Sequence, residues 1–360
     1  MSEKNINTNE NDINEINNEG EVIEETREEK KKQVNIPLMI GVSFTLLIAL
    51  GVFLVILKLG LWNKGQAYIM TNEDYQKIKL DTIDNVVLLP PSVICPDTFD
   101  GTTTVLVLGN DSYYEGVKDG SDILSLMGQE IPDAEIINVC IPDTYLTSYR
   151  IYETSPEECP EDYFCMTWLV SAMCWKDFTR QEEALNYLDP EKYDIERHKE
   201  VIEILKGINI DDVDVVMFCY DGHDYRTGRV PVVYNGPDAV TENTTTLLGA
   251  LYTTIYILNT YNQDIQYVYV SPAFCYGIDE NGQKVSCAQL NTSNGTMADN
   301  FNAARLITNY YGVSYVDMYS GVSINEENGE TTLESDGITP TKKARQLMAD
   351  RLVTLLKERF

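Results

Sequence analysis

The run from Thr103 to Ser112 (Thr-Thr-Val-Leu-Val-Leu-Gly-Asn-Asp-Ser) constrains the fold most. Its apolar, β-branched centre leaves no polar face, the pattern of a strand buried on both sides. The run stops at Gly109, and Asn110, Asp111 and Ser112 follow at once. In an open α/β sheet, ligands and chemistry sit just beyond the carboxyl ends of the strands. These three polar residues therefore stand where a site is expected.

The rest of the chain repeats the pattern. Ala134 to Cys140, Val213 to Tyr220, Asp264 to Val270 and Val313 to Asp317 read as further strands. Helical spacing fits Asp119 to Gln129, Ile195 to Leu205, Glu242 to Thr260, Met297 to Tyr311 and Thr341 to Arg359, the last introduced by Pro340. Strands alternating with helices predict one α/β domain from 103 to 360, with a parallel five-stranded sheet and helices on both faces. Residues 150–190 read as a helical insertion, where Trp168 and Trp175 offer either core or a ligand-facing wall. His198, within Glu-Arg-His-Lys, reads as an exposed helix residue.

The N-terminal part differs in kind. Residues 1–35, rich in Asn and Glu, have too little apolar content to fold and read as a disordered tail. Ile36 to Leu57 then runs without a charge, enough helix to cross a hydrocarbon core of ~30 Å. Lys30-Lys31-Lys32 before it puts the N-terminus in the cytoplasm. The expectation is a single-span type II protein with its bulk outside the cell, joined by a connector over 58–102. The formal net charge of −30 argues against nucleic acid as a partner, which needs clustered Lys and Arg.

Eight cysteines show no C-x-x-C pair and no zinc spacing, so neither metal nor cofactor is expected. Cys140 and Cys219 end apolar runs and read as buried thiols. Cys159/Cys165 and Cys275/Cys287 lie in loop-like surroundings and are open to short disulfides in an oxidising compartment. Asn-x-Ser/Thr occurs at Asn243, Asn291 and Asn294.

Three segments follow strands or precede the last helix: Gly109-Asn110-Asp111-Ser112, Tyr220-Asp221-Gly222-His223-Asp224-Tyr225 and Asp336-Gly337-Ile338-Thr339-Pro340. In order, spacing and placement they resemble the SGNH (GDSL-like) hydrolases, and among these the membrane-anchored, extracytoplasmic members from Gram-positive bacteria. The resemblance covers about 100–360. It implies a flavodoxin-like three-layer fold and an ester hydrolase or deacetylase lineage acting on carbohydrate or cell-envelope substrates. By that resemblance, Gly109 and Asn110 fall in the nucleophile turn, with Asp111 where the family has its serine and Ser112 one residue late. Asp143 stands at a glycine whose N–H serves the oxyanion, and His223 at an oxyanion asparagine, next to Gly222. Asp336 matches the triad aspartate, but Thr339 replaces the histidine, and threonine is no general base near neutral pH.

Two readings follow. A rewired triad would use Ser112 as nucleophile, His223 as base, Asp221, Asp224 or Asp336 as its partner, and the Gly109/Asn110 turn as part of the oxyanion site. Alternatively, catalysis is impaired or lost, and the site binds an envelope glycan or protein. Asp111, Asp143, Asp221, Asp224 and Asp336 would then serve mainly as caps and scaffold, rather than as a cation site.

Overall fold

The computed structural model describes residues 36–63, 84–89, 101–229, 242–292, 295–321 and 323–357. The tail over 1–35 and most of the connector lie outside the described residues, as does Cys95. Two compact units divide at Ile78/Lys79.

The first unit contains helix α1, Ile36–Asn63. Its described large side chains, among them Phe44, Leu47, Leu50 and Phe53, are exposed. Among the described residues no helix is long and apolar enough to cross a membrane. The span expected over Ile36–Leu57 thus has a helical backbone beneath it and is carried by sequence alone.

The second unit is built on five parallel strands: β1 (Thr103–Gly109), β2 (Ala134–Asn138), β3 (Val215–Cys219), β4 (Gln266–Val270) and β7 (Ser314–Val316). Their order is β2-β1-β3-β4-β7, the 2-1-3-4-5 order of flavodoxin-like sheets. In β1, Val105 and Val107 pack on one face while Leu106 and Leu108 pack on the other. Both faces are therefore core, which is why the strand shows no polar alternation. One face is covered by α3 (Ile123–Glu130) and α10 (Lys342–Leu356). Over the other lie α4 (Met166–Trp175), α6 (Ile195–Gly207), α8 (Leu247–Tyr261) and α9 (Met297–Tyr311). The three-layer architecture is as expected.

Local signals explain the helix starts. Asp122 caps α3, accepting from the N–H groups of Leu124 and Ser125. Thr341 caps α10, and Thr296 with Asp299 forms a capping box on α9. Asp84 to Leu89 extend the folded unit at its edge. Asn85 bridges Tyr315, Leu88 is buried, and Asp84 pairs with Arg351 at 2.6 Å.

Some expectations need correction. The insertion holds α4 and a short α5 (Thr179–Ala184), shorter than a helix running to Leu188. Trp175 at the end of α4 is 58% exposed, so it belongs to neither core nor site wall. His198 is fully buried, its Nδ1 on the Asp194 carbonyl at 2.7 Å and its ring edge-on to Phe164. It is buried because α6 lays this face on the core. The neighbouring Arg197 satisfies its guanidinium on the carbonyls of Asn138 and Cys140.

Candidate functional site

The carboxyl end of β1 can lie this close to β3 only because residue 109 is glycine. A Cβ there would lie 2.4 Å from the Cys219 carbonyl and 2.9 Å from the Cys140 sulfur. Asn110 follows, fully buried, and bolts two loops together. Its side chain accepts the Asp221 N–H at 2.9 Å and donates to the Thr144 carbonyl at 3.0 Å. Gly109 and the Asn110 side chain thus serve as scaffold at this edge.

A short helix, α2 (Asp111–Tyr114), opens with the two residues of most interest. The buried Ser112 hydroxyl donates to Asp221 Oδ2 at 3.0 Å. Asp221 is also gripped by Arg226, whose Nη2 lies 3.1 Å from both carboxylate oxygens while Nη1 donates to the Asp221 carbonyl at 2.7 Å. Burial pushes this carboxyl up, but the Arg226 and His223 charges and the bonds from Arg226 and Ser112 outweigh it and hold it below its ordinary range. A carboxylate held so low is a poor acceptor for an alcohol proton. Ser112 therefore has a partner but no base.

Asp111 occupies the position the resemblance gives to serine. Its Oδ1 accepts the Asp143 N–H at 3.1 Å. That is the backbone donor expected to serve an oxyanion. Asp143 has φ +57°, the left-handed region that explains a glycine at this position and that aspartate tolerates. The other oxygen, Oδ2, is buried without a hydrogen bond and lies 3.8 Å from His223 Nδ1. Burial is the largest cause raising the Asp111 carboxyl to about 7, and the charges of Asp221 and Asp143 add to it. Burial likewise lowers His223, which leaves its imidazole neutral near pH 7.

His223 opens α7 (His223–Arg226) after the left-handed turn at Gly222, φ +82°. Its ring packs on Tyr145, centroids 4.8 Å apart, and the Arg229 guanidinium lies 3.7 Å over that tyrosine's other neighbourhood. The hydrogen bond of Ser112 goes to Asp221, and the ring contact of His223 goes to Asp111, so the rewired triad is not assembled. Asp224 is equally unavailable. It accepts from the Leu146 and Thr147 N–H groups at 2.9 Å each and from the Thr147 hydroxyl at 2.6 Å. Asp336 is exposed and closes its own loop, accepting from the N–H groups of Ile338 and Thr339 and from the Thr339 hydroxyl at 2.6 Å. It is a turn-forming aspartate, and Thr339 is its partner rather than a base.

Three participants were not read from the sequence. Arg226, Tyr145 and Arg229 carry no motif, although Arg226 sits one turn beyond His223. Beside Gly222 and Asp224 lies a mostly apolar cavity of about 30 Å³ bordered by Leu146, Tyr220, Leu247 and Met297. Among the described residues no group of three or more His, Cys, Asp or Glu could hold a metal ion.

No family model and no curated protein matches this chain. Among solved structures it is similar to a lipase/acylhydrolase from Enterococcus faecalis, at 14% identity and TM-score 0.38, over 72% of this chain and 97% of that one. A member of the lipolytic G-D-S-L family from Veillonella parvula gives 10% identity and TM-score 0.40 over 71% and 99%. A possible lipase from Chitinophaga pinensis gives 15% and 0.41 over 71% and 98%. By its own sheet order the chain has a flavodoxin-like three-layer α/β fold, with the three polar blocks at or near the carboxyl edge of the sheet.

Proposed function

We propose that the protein is a cell-surface, membrane-anchored descendant of SGNH-type ester hydrolases whose site binds an acylated envelope polysaccharide without cleaving it. One observation carries this reading: the Asp111 carboxylate takes the Asp143 N–H, the position in which a substrate's oxyanion would be stabilised. That N–H is already taken by a carboxyl oxygen, charged or not, and is not free for a second acceptor. The serine next door donates its hydroxyl hydrogen bond to a carboxylate that Arg226 holds ionised. Binding is supported by what borders the site. The half-buried Asp143 offers acceptors for sugar hydroxyls, and the exposed Tyr149 ring lies 5.8 Å from the Arg229 guanidinium that also covers Tyr145. Aromatic faces and carboxylates are the groups that hold carbohydrate rings. Anchoring is supported by the uncharged run Ile36–Leu57 and the lysines before it.

The test is a titration of the full chain with O-acetylated and de-O-acetylated wall polysaccharide, with released acetate assayed in parallel. The expected result is saturable binding that favours the acetylated polymer and leaves its acetate content unchanged. Acetate release above a no-protein control, or no binding to either polymer, contradicts the reading.

A further inference from the structure

The loop after β4, expected to be irregular, is a hairpin. Strand β5 (Tyr276–Ile278) pairs antiparallel with β6 (Lys284–Ser286), with Tyr276 opposite Ser286 and Ile278 opposite Lys284. Continuing that register one step places Cys275 directly opposite Cys287, and the Cys287 N–H donates to the Cys275 carbonyl at 2.9 Å. A hydrogen-bonded antiparallel pair has its Cα atoms ~5.5 Å apart, inside the ~4.4–6.8 Å that a disulfide spans. Both residues are buried, so their side chains share one dry environment.

We propose that Cys275 and Cys287 form a cross-strand disulfide that clasps the base of this hairpin. The other described cysteines do not offer the same geometry. The Cys159 thiol bonds to Asp162, and the Cys140 sulfur faces the Val107 carbonyl at 3.8 Å. The clasp matters to the site because the hairpin seats the Asp336–Thr339 loop. The Tyr276 N–H donates to the Gly337 carbonyl at 2.8 Å. Gly337, at φ +74°, leaves no space for a Cβ between Tyr276 and Lys284. Tyr225 of α7 donates its hydroxyl to the Leu290 carbonyl just beyond the hairpin.

Closure requires a disulfide oxidant, a small molecule or a thiol–disulfide exchange protein. The Cys287 thiolate attacks one sulfur of that disulfide, forming a mixed disulfide and expelling one thiolate. Cys275 then gives up its proton and attacks the Cys287 sulfur, and the second oxidant sulfur leaves. Two electrons pass to the oxidant, which takes up two protons and departs as two thiols. Since both sulfurs are buried, exchange precedes final packing, and packing then shields the bond.

The test is to refold the full chain in detergent with mixed oxidised and reduced glutathione, block free thiols and map the peptides. The expected product links Cys275 to Cys287, and dithiothreitol lowers the Tm by roughly 5–10 °C. The Cys275→Ser/Cys287→Ser variant should start at the lowered Tm and not respond to dithiothreitol. Alkylation of both cysteines as free thiols, or bridging of either to another partner, overturns the proposal. If the double variant does not fold, the peptide map and the response of the wild-type chain decide on their own.

Discussion

At the scale of single residues, the chemistry turns on a carboxyl group placed one position ahead of a hydroxyl. Burial raises Asp111 to about 7, above the ~3.9 of an unfolded chain. The folded state therefore binds this proton more tightly than the unfolded one. Its stabilising contribution is complete below about pH 4 and is lost as the pH rises through about 7. Asp111→Asn keeps an oxygen for the Asp143 N–H and removes the titration. Thermal melts should show the variant more stable than wild type at pH 8 by about 1 kcal/mol or more, some 2–4 °C or above, with the advantage gone at pH 4. An equal shift at both pH values would mean that Asp111 does not titrate in this window. Arg226 acts one layer below. Arg226→Met leaves the buried Asp221 charge uncompensated and should cost about 3–5 kcal/mol in urea unfolding, the penalty for breaking a buried pair.

Secondary-structure elements were legible to different degrees, for physical reasons. Strands β1, β3 and β4 announced themselves because a strand covered on both faces must be apolar throughout. The helix over Met297–Tyr311 was legible to its ends because its capping residues are local. The β5–β6 hairpin was not, since three-residue strands of mixed polarity leave no periodic signal. The three polar blocks were placed at the correct edge, yet their wiring was hidden. Which oxygen Ser112 reaches, or that Arg226 folds back on Asp221, depends on contacts 109 residues and one helical turn away. Asp224 shows the difference between position and role. It reads as a site acid, and it ties α7 to Leu146 and Thr147 by accepting two backbone N–H bonds and the Thr147 hydroxyl. Asp224→Ala should cost about 2–4 kcal/mol in denaturant unfolding, because it strands buried donors. A loss below about 0.5 kcal/mol would show that the tie is dispensable.

On the scale of the whole molecule, the chain joins an apolar helix to an acidic α/β unit beginning at Lys79. If α1 is the anchor, carbonate washing should leave the full chain in the membrane fraction, and a chain starting at Lys79 should be released. Retention of the shortened chain would move the anchor elsewhere. The sheet order is that of a flavodoxin-like fold, and on the proposed reading the hydrogen bonds of Asp111 and Ser112 at its carboxyl edge replace the hydrolytic arrangement. The measurement that reaches this claim most directly is labelling of the full chain with a fluorophosphonate, followed by peptide mapping, beside Ser112→Ala and His223→Ala. The account predicts no adduct on Ser112 in folded protein, under conditions that label a reactive serine hydrolase. An adduct on Ser112 that vanishes in both variants would contradict it and restore the rewired triad.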